Sequence, residues 1–264
     1  MLEAYDSVTG VINIGDWFPW ISFVDLQGYV KRIKALSKKF ERFYDHVIDE
    51  HRARSDREKD NFVACDFVDF LLMLADEQDS SVEVKLNTDQ IKGLTQDLLT
   101  GGTDTSALTI EWAMSELIKQ PETIKKATEE IDKVIGTERW LEERDLPQLP
   151  NLEAIVKEAM RLHPLVPLLA PHFALEDCKV AGYDICQHFE LLPFGSGRRM
   201  CPGYNLGLRV VSSILGNLLH GFKWKLPDNM KNEEISMDEV FGLGTIRKYP
   251  LVAVMEPRLP LDLY

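Results

Sequence analysis

The 264-residue chain carries 30 lysines and arginines against 43 aspartates and glutamates, a formal net charge of −13, with 45% hydrophobic and 28% charged residues. That length makes one large or two ordinary domains with ample core, and the composition is globular rather than disordered. The acidic balance argues against a nucleic-acid partner and against a generally cationic membrane face.

No apolar run approaches the roughly 20 residues that span a bilayer, and the start, with Glu3 and Asp6, does not read as a signal peptide. The four cysteines, Cys65, Cys178, Cys186 and Cys201, lack CxxC spacing. Neither a zinc site nor a disulfide framework is expected, and the environment reads as reducing and cytosol-facing.

Residues 11–23 are dense in large apolar groups, with Trp17 and Trp20 flanking Pro19. They read as a loop or short turn that either caps a neighbouring helix or forms an aromatic lip toward a membrane or a substrate entrance. From Gln27 to Arg54, Val30, Ile33, Leu36 or Ser37, Phe40, Phe43, Val47 and Ile48 recur at helical spacing between charged residues. Cys65–Ala75 predicts a shorter apolar helix.

The longest helix begins at a capping-box-like pair, Asn87 and Gln90, and must end by Pro121. About thirty residues span about 45 Å. Its middle, Gly101-Gly102-Thr103-Asp104-Thr105-Ser106, is poor helix chemistry, each glycine costing about 1 kcal/mol against alanine. A break into two helices, a close helix crossing, or a turn loosened to admit a ligand would each account for it. Pro121 and Glu122 open another helix that Gly136 closes. Trp140 to Leu149 reads as a loop, and Asn151 to Leu162 as a helix stopped by Pro164. Glu158 and Arg161 share a face of that helix; alone, such a pair is worth a few tenths of a kcal/mol.

Val180–Cys186 reads as a short strand, and Gln187-His188-Phe189 runs almost directly into the most distinctive stretch, Phe194-Gly195-Ser196-Gly197-Arg198-Arg199-Met200-Cys201-Pro202-Gly203. Here a glycine-rich loop becomes a helix, with Pro202 suited to the first helical position. The helix N-terminus and the two arginines favour a thiolate at Cys201. Three roles stay open on this chemistry: an inert buried cysteine, a nucleophile partnered by His163, His172, His188 or His220, and a lone thiolate ligand for haem iron. Downstream, Leu206 to Leu219 is the apolar side of a helix ending at Gly221, and Ser236 to Pro257, with Leu251-Val252-Ala253-Val254, suggests a terminal hairpin.

The pattern Phe-x-x-Gly-x-Arg-x-Cys-x-Gly, complete at Phe194, Gly197, Arg199, Cys201 and Gly203, resembles the haem loop of the cytochrome P450 monooxygenases. Gly101 to Ser106 is similar to the family's oxygen-binding stretch, and Glu158 with Arg161 to its buried Glu-x-x-Arg pair. The resemblance implies a mainly α fold with small β segments, the C-terminal part of the cytochrome P450 fold. It divides the chain into pocket-roof helices (1–86), the oxygen-binding helix (87–120), helices with Glu-x-x-Arg (121–187), and the cysteine loop, following helix and hairpin (188–264).

It further implies haem b with Cys201 as axial ligand, Arg199 and His172 on haem propionates, and Phe194 packed beside the thiolate. Asp104 and Thr105 would carry protons to dioxygen. Gly101, Gly102, Val166, Phe241 and Leu243 are candidates for the substrate pocket, the last two in a loop over Phe241–Thr245. The activity implied is insertion of one oxygen atom of O2 into a small hydrophobic or aromatic substrate, a flavonoid or other plant secondary metabolite. Gly195-Ser196-Gly197 lacks the third glycine of a dinucleotide fingerprint, so electrons would come from a separate NADPH-dependent flavoprotein reductase.

Family members of the plant microsomal type sit on the cytosolic face of the endoplasmic reticulum membrane. This chain is expected to match only the later half of such a protein, without its anchor, and so to be cytosolic or peripheral. A strand, a helix and an arginine-bearing loop expected before the cysteine loop have no counterpart near Gln187-His188, leaving Glu158 and Arg161 without a third member. The rival reading is therefore a non-catalytic, truncated haem-binding fragment.

Overall fold

The structure, a computed structural model, describes residues 4–5, 8, 11–58, 62–76, 86–167, 169, 193–227, 230–240 and 244–264. The expected strand Val180–Cys186, and with it Cys178 and Cys186, lies outside these. The chain divides into two compact units, Met1–Gly101 and Gly102–Tyr264. The first holds helices α1 (Ile14–Trp17), α2 (Tyr29–Glu58) and α3 (Phe67–Asp76), and the start of α4 (Thr88–Lys119).

Asp25 sits in the left-handed region at φ 47° and its carboxylate accepts the N–H groups of Val30 and Lys31 at 3.1 and 3.0 Å. Two of the orphan donors that open α2 are thereby satisfied. The buried face of α2 is Leu36, Phe40, Tyr44 and Ile48, every fourth residue. Phe40 and Tyr44 stack with centroids 5.9 Å apart. The expected Ile33 and Phe43 are exposed instead, because a strict four-residue step carries the buried stripe through Tyr44. Ile48 packs with Leu71 and Leu72 of α3 and with Ile91 of α4. The capping box that opens α4 is present: Asn87 N–H donates to Gln90 Oε1 at 2.9 Å and Gln90 N–H to Asn87 Oδ1 at 2.8 Å.

The second unit continues α4 and adds α5 (Pro121–Ile135), α6 (Pro150–Leu162) and α7 (Tyr204–Gly221). Proline stands at the start of α5 and of α6, and Gly136 closes α5 at φ 80°. The expected loop over 140–149 contains a 3-10 turn, Glu143–Gln148, opened by a reciprocal Glu142–Asp145 capping box. Ile110, Met114, Leu117, Ile131, Leu152, Val156, Leu215 and Leu219 form one core among these four helices.

Strands are few among the described residues. β1 (Phe222–Lys225) pairs antiparallel with β4 (Val254–Pro257), Phe222 opposite Pro257, and β2 (Glu239–Val240) pairs with β3 (Ile246–Arg247). The expected terminal hairpin is thus a short one at 239–247, and the last strand returns to the end of α7. Arg258 locks that return. It donates to both Asp132 oxygens at 3.0 and 2.6 Å and to the His220 carbonyl at 2.8 Å. No described helix is long and apolar enough to cross a membrane.

Candidate functional site

The cysteine loop is built by its glycines. Gly195 and Gly197 adopt φ of 70° and 73°, where a side chain would be strained. Cys201 N–H donates to the Phe194 carbonyl at 2.9 Å, and Met200 N–H to Gly197 O at 3.1 Å. Phe194 lies edge-on to Tyr204, centroids 5.0 Å apart, and covers Gly207, where an added Cβ would lie 3.5 Å from its ring. The Cys201 thiol is free and exposed. An inert buried cysteine is thereby excluded, and no histidine of the described chain hydrogen-bonds to it. Helix α7 starts at Tyr204 rather than at Pro202, which stays in the preceding turn, because Gly203 takes the cap position. Arg198 and Arg199, in a short 3-10 turn, are exposed.

The Gly101–Ser106 stretch neither breaks α4 nor serves a close crossing. The helix runs unbroken from Thr88 to Lys119, and among the described residues nothing outside its own backbone lies within 4 Å of a Cβ placed on Gly101 or Gly102. Thr105 is exposed, Asp104 half-buried and Ser106 buried. The Thr105 carbonyl accepts the Thr109 hydroxyl at 2.8 Å. A cavity of about 620 Å³ lies between α4 and α7, lined by Ser106, Ile110, Met114, Val210, Ile214 and Trp224 among others. Gly102 lines it, and Thr105 does not, because the α4 residues that do recur at helical spacing on a different face; Cys201 does not line it either.

Glu158 and Arg161 do pair, Arg161 Nε and Nη2 donating to the two carboxylate oxygens at 2.7 and 2.8 Å. The burial expected from the resemblance is not found: both side chains are 55% exposed. The hydrogen bonds from Arg161 hold the Glu158 carboxyl below its usual range. Val166 stands in a turn closed by Leu169 N–H on its carbonyl. His172, Phe241 and Leu243 lie outside the described residues.

A clamp on α4 escaped the sequence reading. Trp112 stacks on His163 at 4.0 Å between centroids, and the Arg247 guanidinium lies 5.0 Å from the Trp112 ring. His163 Nε2 is 2.8 Å from a Glu116 oxygen, Trp112 Nε1 donates to the Thr245 carbonyl at 3.1 Å, and Glu111 accepts Leu251 N–H at 2.8 Å. Burial pushes the Arg247 pKa down, against the pull of Glu111 and Glu116. The β3 side of the 239–247 hairpin is thereby fixed to α4 about three turns past the glycine pair. The one signal available was a cation, Arg247, set in an alternating segment.

His51, Asp66 and Asp69 bring possible ligand atoms within 4.8 Å of one another. Arg54 already pairs with the buried Asp69 there, so the cluster holds its own cation rather than a metal.

A family model described as Cytochrome P450 matches residues 1–187 and 184–252, two pieces that meet where the expected gap lies. The chain is 43% identical to a trimethyltridecatetraene synthase of Zea mays over 317 positions, covering 99% of this chain and 57% of that relative. It is 42% identical to a dimethylnonatriene synthase of Zea mays (99% and 58%) and 38% identical to a flavonoid 3',5'-hydroxylase of Campanula medium (97% and 56%). The chain thus spans little more than half the length of these relatives. A zebra fish cytochrome P450 solved with abiraterone superposes with a TM-score of 0.70 at 20% identity, over 86% of this chain and 61% of that one. The fold, the two-part family match and the relatives agree: the chain belongs to the cytochrome P450 family, whose cofactor is a haem held by a cysteine thiolate.

Proposed function

We propose that this chain supplies the haem-thiolate part of a monooxygenase that places one oxygen atom of O2 into a small apolar plant metabolite. The observation that carries this is Cys201. It stands at the end of a loop shaped by two left-handed glycines, its backbone tied to Phe194, and its thiol is free and exposed. An accessible sulfur donor on a backbone-fixed loop suits a haem ligand, and Gly102, which lines the cavity beside α4, suits a ligand laid along that helix. When bound, haem would supply dioxygen activation, with the thiolate's electron donation favouring O–O cleavage.

In this reading Cys201 holds the iron and Arg199 meets a propionate. Phe194 shields the sulfur, while Gly197 and Gly203 give the loop its shape. The hydroxyl of Thr105 relays protons without holding charge, and the half-buried Asp104 carboxylate exchanges them with solvent. His172 remains the candidate second propionate contact. Val166, Phe241 and Leu243 remain candidates for the substrate pocket, with Gly101 and Gly102. Electrons come from a separate NADPH-dependent flavoprotein reductase at the cytosolic face of the endoplasmic reticulum. Higher identity to the two maize synthases than to the flavonoid hydroxylase favours a terpenoid-like substrate over a flavonoid.

Titrating the purified chain with haem tests this. Uptake that is lost in Cys201→Ala and kept in Cys65→Ala supports the assignment. Equal uptake in all three chains sinks it.

The rival reading, a non-catalytic haem-binding fragment, is favoured by the exposed Glu158–Arg161 pair. That pair forms with no third partner among the described residues. Haem uptake without turnover in the presence of a reductase would select it.

A further inference from the structure

The Trp112–His163 stack contains a titratable group that the proposed haem chemistry does not use. His163 stands at the end of α6, its backbone N–H bonded to the Ala159 carbonyl at 2.9 Å. Its side chain is only 10% exposed, and the ring lies flat on Trp112 at an interplanar angle of 7°. Both ring nitrogens face carboxylates from other elements. Nε2 is 2.8 Å from a Glu116 oxygen on α4, and Nδ1 is 3.6 Å from a Glu239 oxygen on β2. Nδ1 is buried and has no hydrogen-bond partner among the described residues.

An ionised carboxylate only accepts, so each ring nitrogen needs a proton to face one favourably. A neutral imidazole has one such proton and an imidazolium has two. The shorter contact assigns the proton of the neutral ring to Nε2, against Glu116. Nδ1 then turns a bare lone pair toward Glu239. With the second proton in place, Nδ1–H points at that carboxylate and the ring ties α6 to α4 and to β2 at once. The neighbouring charges do not replace this donor. Arg247 stands over the Trp112 ring and 3.7 Å from Glu111, and Glu158 pairs with Arg161 on the exposed side of α6. The β3 arm is held without any titrating group: Trp112 Nε1 donates to the Thr245 carbonyl, Thr245 N–H to the Leu165 carbonyl at 2.7 Å, and its hydroxyl to the Pro164 carbonyl at 2.6 Å.

We infer that His163 is a positioning residue whose second proton fastens β2 to α4 and α6. The 239–247 hairpin is held by both arms when the ring is an imidazolium, and by β3 alone when it is neutral. Raising the pH therefore releases β2, and lowering it closes the latch. Glu239 is 44% exposed, so the effect is that of a partly solvated ion pair, about fivefold in the equilibrium between held and released β2. Phe241 and Leu243 follow β2 in the sequence. On the function proposed above, the same proton sets how firmly one side of the substrate pocket is held. That consequence rests on the proposed function, whereas the latch itself needs neither haem nor substrate.

Amide hydrogen exchange of the full chain tests the inference, read between about pH 5 and about pH 8 and scaled at each pH to the exchange of an unstructured chain. Protection of the β2 amides is expected to fall about fivefold as the pH rises, while that of Thr245 stays level. The pH response should disappear in His163→Gln and in Glu239→Gln. The second variant changes a partly exposed side chain and keeps the test open if the first does not fold, which circular dichroism would show. His46→Gln, at an exposed histidine of α2, should respond as wild type does. Protection of β2 that is independent of pH in wild type, a response retained in Glu239→Gln, or an equal response at Thr245 would each overturn the latch. Because exchange is read without haem, its failure would leave the Cys201 assignment untouched.

Discussion

Replacing Gly101 and Gly102 by alanine separates helix stability from ligand accommodation. Both glycines lie inside the unbroken α4, and among the described residues no atom outside the helix's own backbone lies within 4 Å of where either new Cβ would stand. Each alanine should therefore stabilise the haem-free chain by about 1 kcal/mol, or about 2 kcal/mol together. For a chain of this size that is a rise of roughly 4–8 °C in melting temperature. Urea and thermal unfolding followed by the circular dichroism of the helices would read it. If the glycines leave room for haem or substrate, the same double variant should take up haem more weakly. A less stable double variant would refute the packing argument. A more stable one with unchanged haem uptake would refute the role given to the glycines.

Other tests are local. Asp132→Asn leaves the largely buried Arg258 guanidinium without its carboxylate and should cost about 2–3 kcal/mol in urea unfolding, less than a fully buried pair because Asp132 is partly solvated. Gly221→Ala drives a Cβ into the Trp140 ring, whose indole is held by the Leu263 carbonyl and the edge of Tyr264, and should cost about 1–3 kcal/mol by overpacking. The bidentate bonds from Arg139 hold the Asp145 carboxyl at about 2 against an ordinary 3.8. The unfolded chain then takes up that proton first, so this stabilisation is whole above about pH 5 and lost as pH falls toward 2. It amounts to on the order of 1–2 kcal/mol after allowing for the solvent around Arg139, and Arg139→Gln should remove it along with its pH dependence. Burial lowers the pKa of His220, beside the Arg258 guanidinium. The unfolded chain binds that proton first too, so stability should begin to fall as pH drops below about 6.5. Urea midpoints measured against pH check both groups.

Local chemistry was legible in the sequence wherever one residue type decides it. The Asn87–Gln90 box, the prolines opening α5 and α6, Gly136 at the close of α5 and the left-handed glycines around Cys201 all follow from backbone preference. What escaped depends on partners distant along the chain. The burial of Tyr44 rather than Phe43 follows a four-residue step fixed by what packs on α2, Tyr5, Val8 and Leu99. The pairing of β4 with β1 joins residues some thirty apart; the alternation of Phe222-Lys223-Trp224-Lys225 marks a strand but not its partner. The Trp112–His163–Arg247 clamp joins three segments with no local pattern. The Glu158–Arg161 pair is the instructive case: its three-residue spacing dictates the contact, which forms, but not the burial, which depends on what packs over it.

The central claim is that Cys201 is a haem ligand through its thiolate. Absorption of the haem-loaded chain, reduced and treated with carbon monoxide, tests it most directly. The account requires a Soret band at the position characteristic of thiolate ligation, absent in Cys201→Ala and retained in Cys65→Ala. A band at the position characteristic of a histidine-bound haem, unchanged by Cys201→Ala, would contradict it.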